Sequence, residues 1–399
     1  MNWHSIRPSA LVVAAVLLSP LWSSGSSRAD GAAHHDSLYV SDEFNNSVGQ
    51  YDAETGAFIS ILINGSAVGI FGPNGVVVDH LRPPDLVVAN QNVTKPIDGD
   101  IRVFDEATGA LESVLVPACL PGPTCPPSCF VMGGTCPSNP NAPFAPIGIL
   151  LNSKACCSGE LLVGDEGDYP VDEMPPGQIT AFDAMDGTLL ATFDATGYAN
   201  AFHPYGMVVG PDGKLYVASR NTPADPARGD VLRFDLRTRK FIDVFVSGAN
   251  CGCNLDHPSG VAFGPDGRLY VASSYNKTPA DKRDTDKILV FDGATGRFVD
   301  KIDVDRPVNE GKPRMAAFGI LFGPEDRLYA TVVALDSSGN FNFVGSLRAY
   351  DVRTKQFRTI VRPGTPAANG GLSLPSLLTF GKTNPATLVY EDDDDQYAE

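Results

Sequence analysis

The chain has 399 residues, 43% of them apolar, and a formal net charge of −17. That acidity, with no basic run anywhere, excludes nucleic acid and anionic membrane surfaces as partners, because phosphate binding needs clustered Lys and Arg. Forty glycines and thirty-two prolines favour many short strands joined by turns over long helices.

The first predicted element is an export signal over residues 1–29. His4 and Arg7 precede the apolar run Ala10–Leu18, and Ser27-Arg28-Ala29 places small residues where a signal peptidase reads. The run is too short to span a bilayer as a helix, so the expected protein is secreted or periplasmic, without a membrane span. At the other end, residues 391–399 form an acidic tail. Between them, residues 37–390 are expected to form one domain.

Inside that domain the chain repeats. HPYGMVVGPDGKLYVASR at 203–220 returns as HPSGVAFGPDGRLYVASS at 257–274, with twelve of eighteen positions identical. A second signature, an aromatic residue and Asp followed by a Thr-Gly, Asp-Gly or basic turn, occurs six times. Its copies start at Tyr51, Phe104, Phe182, Phe234, Phe291 and Tyr350. Each unit therefore reads as four short strands: a (GVAF), b (LYVAS), c (ILVFD) and d (RFVDKI). GPDG joins a to b and Asp-x-x-Thr-Gly joins c to d, both hairpin turns in which Gly takes positive φ. The Asp of the second turn is assigned to turn formation.

Four antiparallel strands cannot bury both faces alone, so the units must stack radially into an all-β propeller. Strand a begins at Gly75, Gly148, Gly206, Gly260 and Gly319, with a looser SLLTF from Ser376. The domain starts at strand b (Ser37), so SLLTF is expected to complete the N-terminal blade and close a six-bladed ring. Thr387–Tyr390 is left over, and a seventh, incomplete blade is the alternative.

Eight cysteines in an exported chain predict disulfides: Cys119, Cys125, Cys129, Cys136, Cys156, Cys157, Cys251 and Cys253. Sequence leaves their connectivity open. The first four lie in a Pro-rich insertion, 118–144, between blades two and three, expected as a braced lid or binding loop.

HPxGxxxGPDGxLYVAS followed by FDxxTG resembles the NHL-repeat and SMP-30-like (gluconolactonase-type) six-bladed propellers. The resemblance covers nearly the whole domain and implies the fold. For function it implies a range, from lactonases, phosphotriesterases and lyases to non-catalytic binders. It also places the ligand face at the b–c and d–a loops, around the mouth of the central channel. In the SMP-30-like enzymes the residue before the strand-a Gly supplies Asn and Asp ligands to calcium. Here that position reads Asn74, Ile147, Tyr205, Ser259, Phe318 and Ser376, and only Asn74 matches.

The residue just after strand b recurs as Asp42, Asn90, Asp165, Ser219, Ser273 and Val332. His203 and His257 open strand a of two neighbouring blades. With Asp42, Asn74, Asn90 and Asp165 they make a candidate set for one divalent metal in the channel, calcium or a transition metal. The imidazoles have a second reading, packing on the neighbouring blade or hydrogen-bonding a loop carbonyl. The acidic loop 164–173, with Asp165, Glu166, Asp168, Asp172 and Glu173, is a candidate calcium site at the rim or a solvated loop. Arg220 stands where other blades carry small or acidic residues, and suits an anionic group or a salt bridge. The leading functional expectation is a monomeric propeller binding a small molecule or an extracytoplasmic protein without turnover. The alternative is a metal-assisted lactonase- or esterase-type hydrolase or a lyase, with His203, His257 and Arg220 as candidate catalytic residues.

Overall fold

The computed structural model describes residues 36–81, 84–92, 99–118, 141–152, 159–167, 177–221, 228–273, 286–305, 314–336, 340–363 and 370–391. Two turn chemistries recur among the repeat units. In the GPDG turns of blades four and five, Asp212 and Asp266 accept from the backbone N–H groups of Lys214 and Arg268 at 3.2 and 3.1 Å. Their second oxygens accept from the hydroxyls of Tyr216 and Tyr270, the tyrosines of LYVAS. In the c–d turns, Asp52, Asp235 and Asp292 accept from the N–H groups of Thr55, Thr238 and Thr295 at 2.7, 2.6 and 2.9 Å. Hydrogen bonds from Thr238 and Thr295 hold the carboxyls of Asp235 and Asp292 below the ordinary value.

The result is six four-stranded antiparallel sheets, a six-bladed β-propeller. Blade two runs outward through Pro73–Asp79, Asp85–Asn90, Asp100–Asp105 and Leu111–Val116. Blades three to six start from the inner strands Pro146–Asn152, His203–Val209, Pro258–Phe263 and Arg314–Gly323. Blade one is composite. Its strands Ser37–Asp42, Ser47–Asp52 and Phe58–Asn64 take the C-terminal Pro375–Phe380 as inner strand, with Leu38 opposite Phe380 and Val40 opposite Leu378. The ring thus closes as expected. Among the described residues the helical elements are Gly65–Val68 and a single 3-10 turn, Pro324–Asp326.

The inner strands touch one another all round the axis, and the strand-a glycine is what permits it. A Cβ at Gly75, Gly148, Gly206, Gly260 or Gly319 would lie between 2.1 and 2.5 Å from a carbonyl oxygen of the next blade. No side chain fits there. Behind this ring, a cluster of buried apolar side chains fills each of the six gaps between blades.

Thr387–Tyr390 forms no seventh blade among the described residues. Asn384 and Leu388 close a tight turn, Leu388 N–H donating to the Asn384 carbonyl at 2.9 Å. This turn crosses the lower mouth of the channel, where the a–b turns gather. Leu151 and Val209, at the lower ends of two inner strands, donate to the carbonyls of Pro385 and Ala386 at 2.9 and 3.1 Å. Leu388 takes a left-handed backbone (φ 56°) and packs on the cores of three different gaps. With Val76, Ile149, Met207, Val261, Ile320 and Leu378 it lines the apolar lower channel. The leftover stretch is therefore a plug.

One predicted disulfide falls in the described residues, and it joins Cys251 to Cys253. The other six cysteines lie outside them, as do the signal segment, residues 119–140 of the insertion, and residues 392–399 of the tail. Among the described residues no helix is long and apolar enough to cross a membrane.

Candidate functional site

The polar residues ending strand b serve the scaffold. Asp42 accepts from the backbone N–H groups of Ser373 and Leu374 at 2.7 and 3.0 Å. Asp165 does the same for Phe144 and Ala145 at 2.7 and 2.8 Å, and also accepts from Gly167 at 3.0 Å. Asn90 accepts from Phe71 N–H at 2.9 Å and donates to Asp100 at 2.9 Å. In blades four and five the hydroxyls of Ser219 and Ser273 accept from the N–H groups of His203 and Asp256 at 3.3 and 3.0 Å. The recurring position thus clamps the d–a loop to the end of strand b, answering backbone donors that burial would otherwise leave unmet.

His203 is buried, and its Nδ1 lies 2.8 Å from the carbonyl oxygen of Glu166 in the neighbouring blade. The ring thus reaches across to a backbone carbonyl of blade three. His257 is half-buried, with a left-handed backbone at φ 38°. Among the described residues, no group of three or more His, Cys, Asp or Glu side chains is arranged to hold a metal ion.

The residue one step further along the chain forms a second row at the same end of the blades. That row reads Glu43, Gln91, Glu166, Arg220 and, in blade six, Val333. Arg220 Nη1 pairs with Glu166 Oε1 at 2.6 Å, both side chains largely buried. Its guanidinium lies 4.0 Å from the centroid of the Tyr205 ring. Burial raises the Glu166 carboxyl above its ordinary value, with Arg220 working against that rise. Glu43, from blade one, is electrostatically coupled to the same group. Burial pushes its carboxyl up to about 7, helped by the charges of Glu166 and Asp42 and opposed by Arg220. Burial also pushes the Tyr205 hydroxyl up to about 12, with Arg220 pulling it down and Glu166 and Glu43 adding to the rise. Three blades thus contribute one electrostatically coupled group at the upper mouth.

Below this row lies the ring that holds calcium in the resembled enzymes. Asn74 donates to Gln91 Oε1 at 3.1 Å and accepts from the hydroxyl of Ser376. Ile147, Tyr205 and Phe318 join one apolar cluster with Val333 and Leu335, against which Leu374 and Leu377 pack. The ring holds no carboxylate, and its single amide is engaged on both sides. These residues do not fit calcium, which takes six to eight oxygens, several of them anionic. The ring is a floor.

Of the candidates read from sequence, the structure brings Arg220 into the coupled group and sets Asp42, Asn90 and Asp165 into loop clamps. Of the acidic loop, Asp165 and Glu166 are described, and residues 168–173 lie outside the described residues. Glu43, Gln91 and Tyr205 are new to the site. The repeat was the signal for the first two, since each follows a clamp residue by one position.

A propeller of this size with a polar mouth and a plugged base defines a structural class. No known family profile matches the chain, and no curated protein is similar to it in sequence. Among solved structures, the periplasmic gluconolactonase PpgL of Pseudomonas aeruginosa is 15% identical, with a TM-score of 0.52 over 86% of this chain and 98% of that one. The Dos1 propeller is also 15% identical, with a TM-score of 0.43 over 82% of this chain and 68% of that one. Hydrazine synthase of Kuenenia stuttgartiensis gives 14% identity and a TM-score of 0.47 over 83% and 93%. At these identities the first likeness speaks for the fold alone, and it is consistent with the SMP-30-like resemblance of the repeats.

Proposed function

We propose that this chain is an exported propeller that binds a small polar molecule at its upper mouth without turnover. The observation that carries this reading is the Glu166–Arg220–Tyr205 group, contributed by two blades and electrostatically coupled to Glu43 of a third, above an apolar floor. A few fixed polar groups over apolar walls are what orient a small ligand. The signal-like N-terminus and the Cys251–Cys253 bridge support an extracytoplasmic address.

A second reading is supported by one observation. A carboxyl at about 7, as at Glu43, suits general acid–base chemistry at neutral pH, so a hydrolase or lyase centred on Glu43 is the alternative. In its metal-assisted form, His203, His257, Asp42, Asn74, Asn90 and Asp165 would supply the ligands. Against that form, Asp42, Asn74, Asn90 and Asp165 already hold loops and neighbouring side chains.

The gluconolactonase among the neighbours makes glucono-lactone a suitable first probe beside a panel of sugar acids and amino acids. The binding reading expects at least one member to raise the thermal midpoint of the native protein but not of the Glu43→Gln variant. It also expects lactone hydrolysis at the uncatalysed rate. Accelerated hydrolysis lost in Glu43→Gln but kept in chelator would replace binding with acid–base catalysis. Acceleration abolished by chelator would restore the metal-assisted reading. A panel without a single stabilising member, and no hydrolysis, would count against both.

A further inference from the structure

The Cys251–Cys253 bridge closes its ring across one glycine. The entropy a disulfide removes from the unfolded chain grows with the loop it closes, so this bridge constrains almost nothing beyond its own turn. The turn is held by other means. Asn250 and Cys251 donate to the Ser247 carbonyl at 3.1 and 2.9 Å. Gly248 N–H reaches both the Gly229 carbonyl at 3.1 Å and Asp230 Oδ1 at 2.9 Å. Val246 before the turn and Leu255 after it are buried in the core between blades four and five. A bridge that the fold does not need is free to serve chemistry.

Its two sulfurs differ in access. Cys253 is buried in that core, whereas Cys251 is half-buried and the glycine between them is exposed. Gly252 has φ 67°, and nothing lies within 4 Å of where its Cβ would stand. The Cys253 N–H points at Cys251 Sγ from 3.2 Å. A donor in that place favours a thiolate on Cys251 over a thiol.

From this geometry we propose that Cys251–Cys253 is a thiol–disulfide exchange site, reduced by a dithiol while the propeller stays folded. A dithiol's thiolate attacks Cys251 Sγ, forming a mixed disulfide as the Cys251–Cys253 bond breaks and Cys253 leaves as a thiolate. The dithiol's second thiolate then attacks its own sulfur in that mixed disulfide, and Cys251 leaves, held by the Cys253 N–H. Two electrons and two protons pass from the dithiol, which becomes a disulfide, to the two cysteines. The site lies in the loop that leads into His257 and strand a of blade five.

Tryptic cleavage after Lys240 and Arg268 releases one peptide containing Cys251 and Cys253 and no other cysteine. Native protein is treated with low-millimolar dithiothreitol, quenched with iodoacetamide and digested, and the labelling of this peptide is read by mass spectrometry. The proposal expects double labelling that depends on reductant, with the near-ultraviolet circular dichroism of the fold retained. A variant with both cysteines changed to Ser should fold with a thermal midpoint within about 3 °C of the parent, a shift of the size a minor stabilising contact gives. Labelling only after unfolding, or labelling without reductant, overturns the proposal. So does a Cys251→Ser/Cys253→Ser variant that fails to fold.

Discussion

Arg220→Met should destabilise the fold by about 3–5 kcal/mol at pH 8, the usual cost of removing one partner from a buried ion pair. The reason is Glu166, which is largely buried and pairs with Arg220 at 2.6 Å. Without Arg220 its carboxyl, already raised by burial, rises further. The folded state then holds a proton that the unfolded chain has released, so stability falls as pH rises from the ordinary carboxylate range toward the new folded value. The deficit of the variant is therefore smallest near pH 5 and largest at pH 8. Adding Glu166→Leu should recover most of it, because an apolar pair leaves no buried charge. Urea unfolding at the two pH values checks this, and a deficit independent of pH would refute it.

The second large effect belongs to the plug. Leu388→Ala should cost about 2 kcal/mol, toward the low end for a large-to-small change because the side chain is only partly buried. Leu388→Gly should be about 1 kcal/mol more stable than Leu388→Ala, although it removes one more carbon. A left-handed backbone costs a side-chain-bearing residue about 1–2 kcal/mol, and Leu388 sits at φ 56°. In the parent that strain is offset by packing against three interblade cores. Equilibrium unfolding of the two variants gives the order, and a glycine variant less stable than the alanine one would show that no strain is held there.

The architecture was legible because its local rules are strict. The strand-a glycine recurs since a neighbouring carbonyl occupies the place of its Cβ, and the turn aspartates recur since each holds backbone donors of its own hairpin. Those constraints act within a unit or between adjacent units, so they write a period into the chain. The site is less legible because its logic crosses the ring. Asp42 and Glu43 are neighbours in sequence, yet one holds Ser373 and Leu374 while the other joins Glu166 and Arg220. Reading the strand ends by residue type favoured Asp42, Asn90 and Asp165, and the coupled group draws on the row one residue further along. Arg220 stood out from sequence because it is the only cation in its row. The plug had no local signature either, as the turn from Asn384 to Leu388 takes its meaning from Leu151 and Val209, far back along the chain, which bond Pro385 and Ala386.

Carbon-13 detection of the glutamate carboxyls, titrated in the native protein and in Glu166→Gln, tests most directly whether three blades build one coupled group at the upper mouth. The prediction is that Glu43 titrates with a midpoint of about 7, and that Glu166→Gln moves this midpoint downward by removing a repelling charge. A Glu43 midpoint near the ordinary value of about 4.3, unmoved by Glu166→Gln, would contradict it.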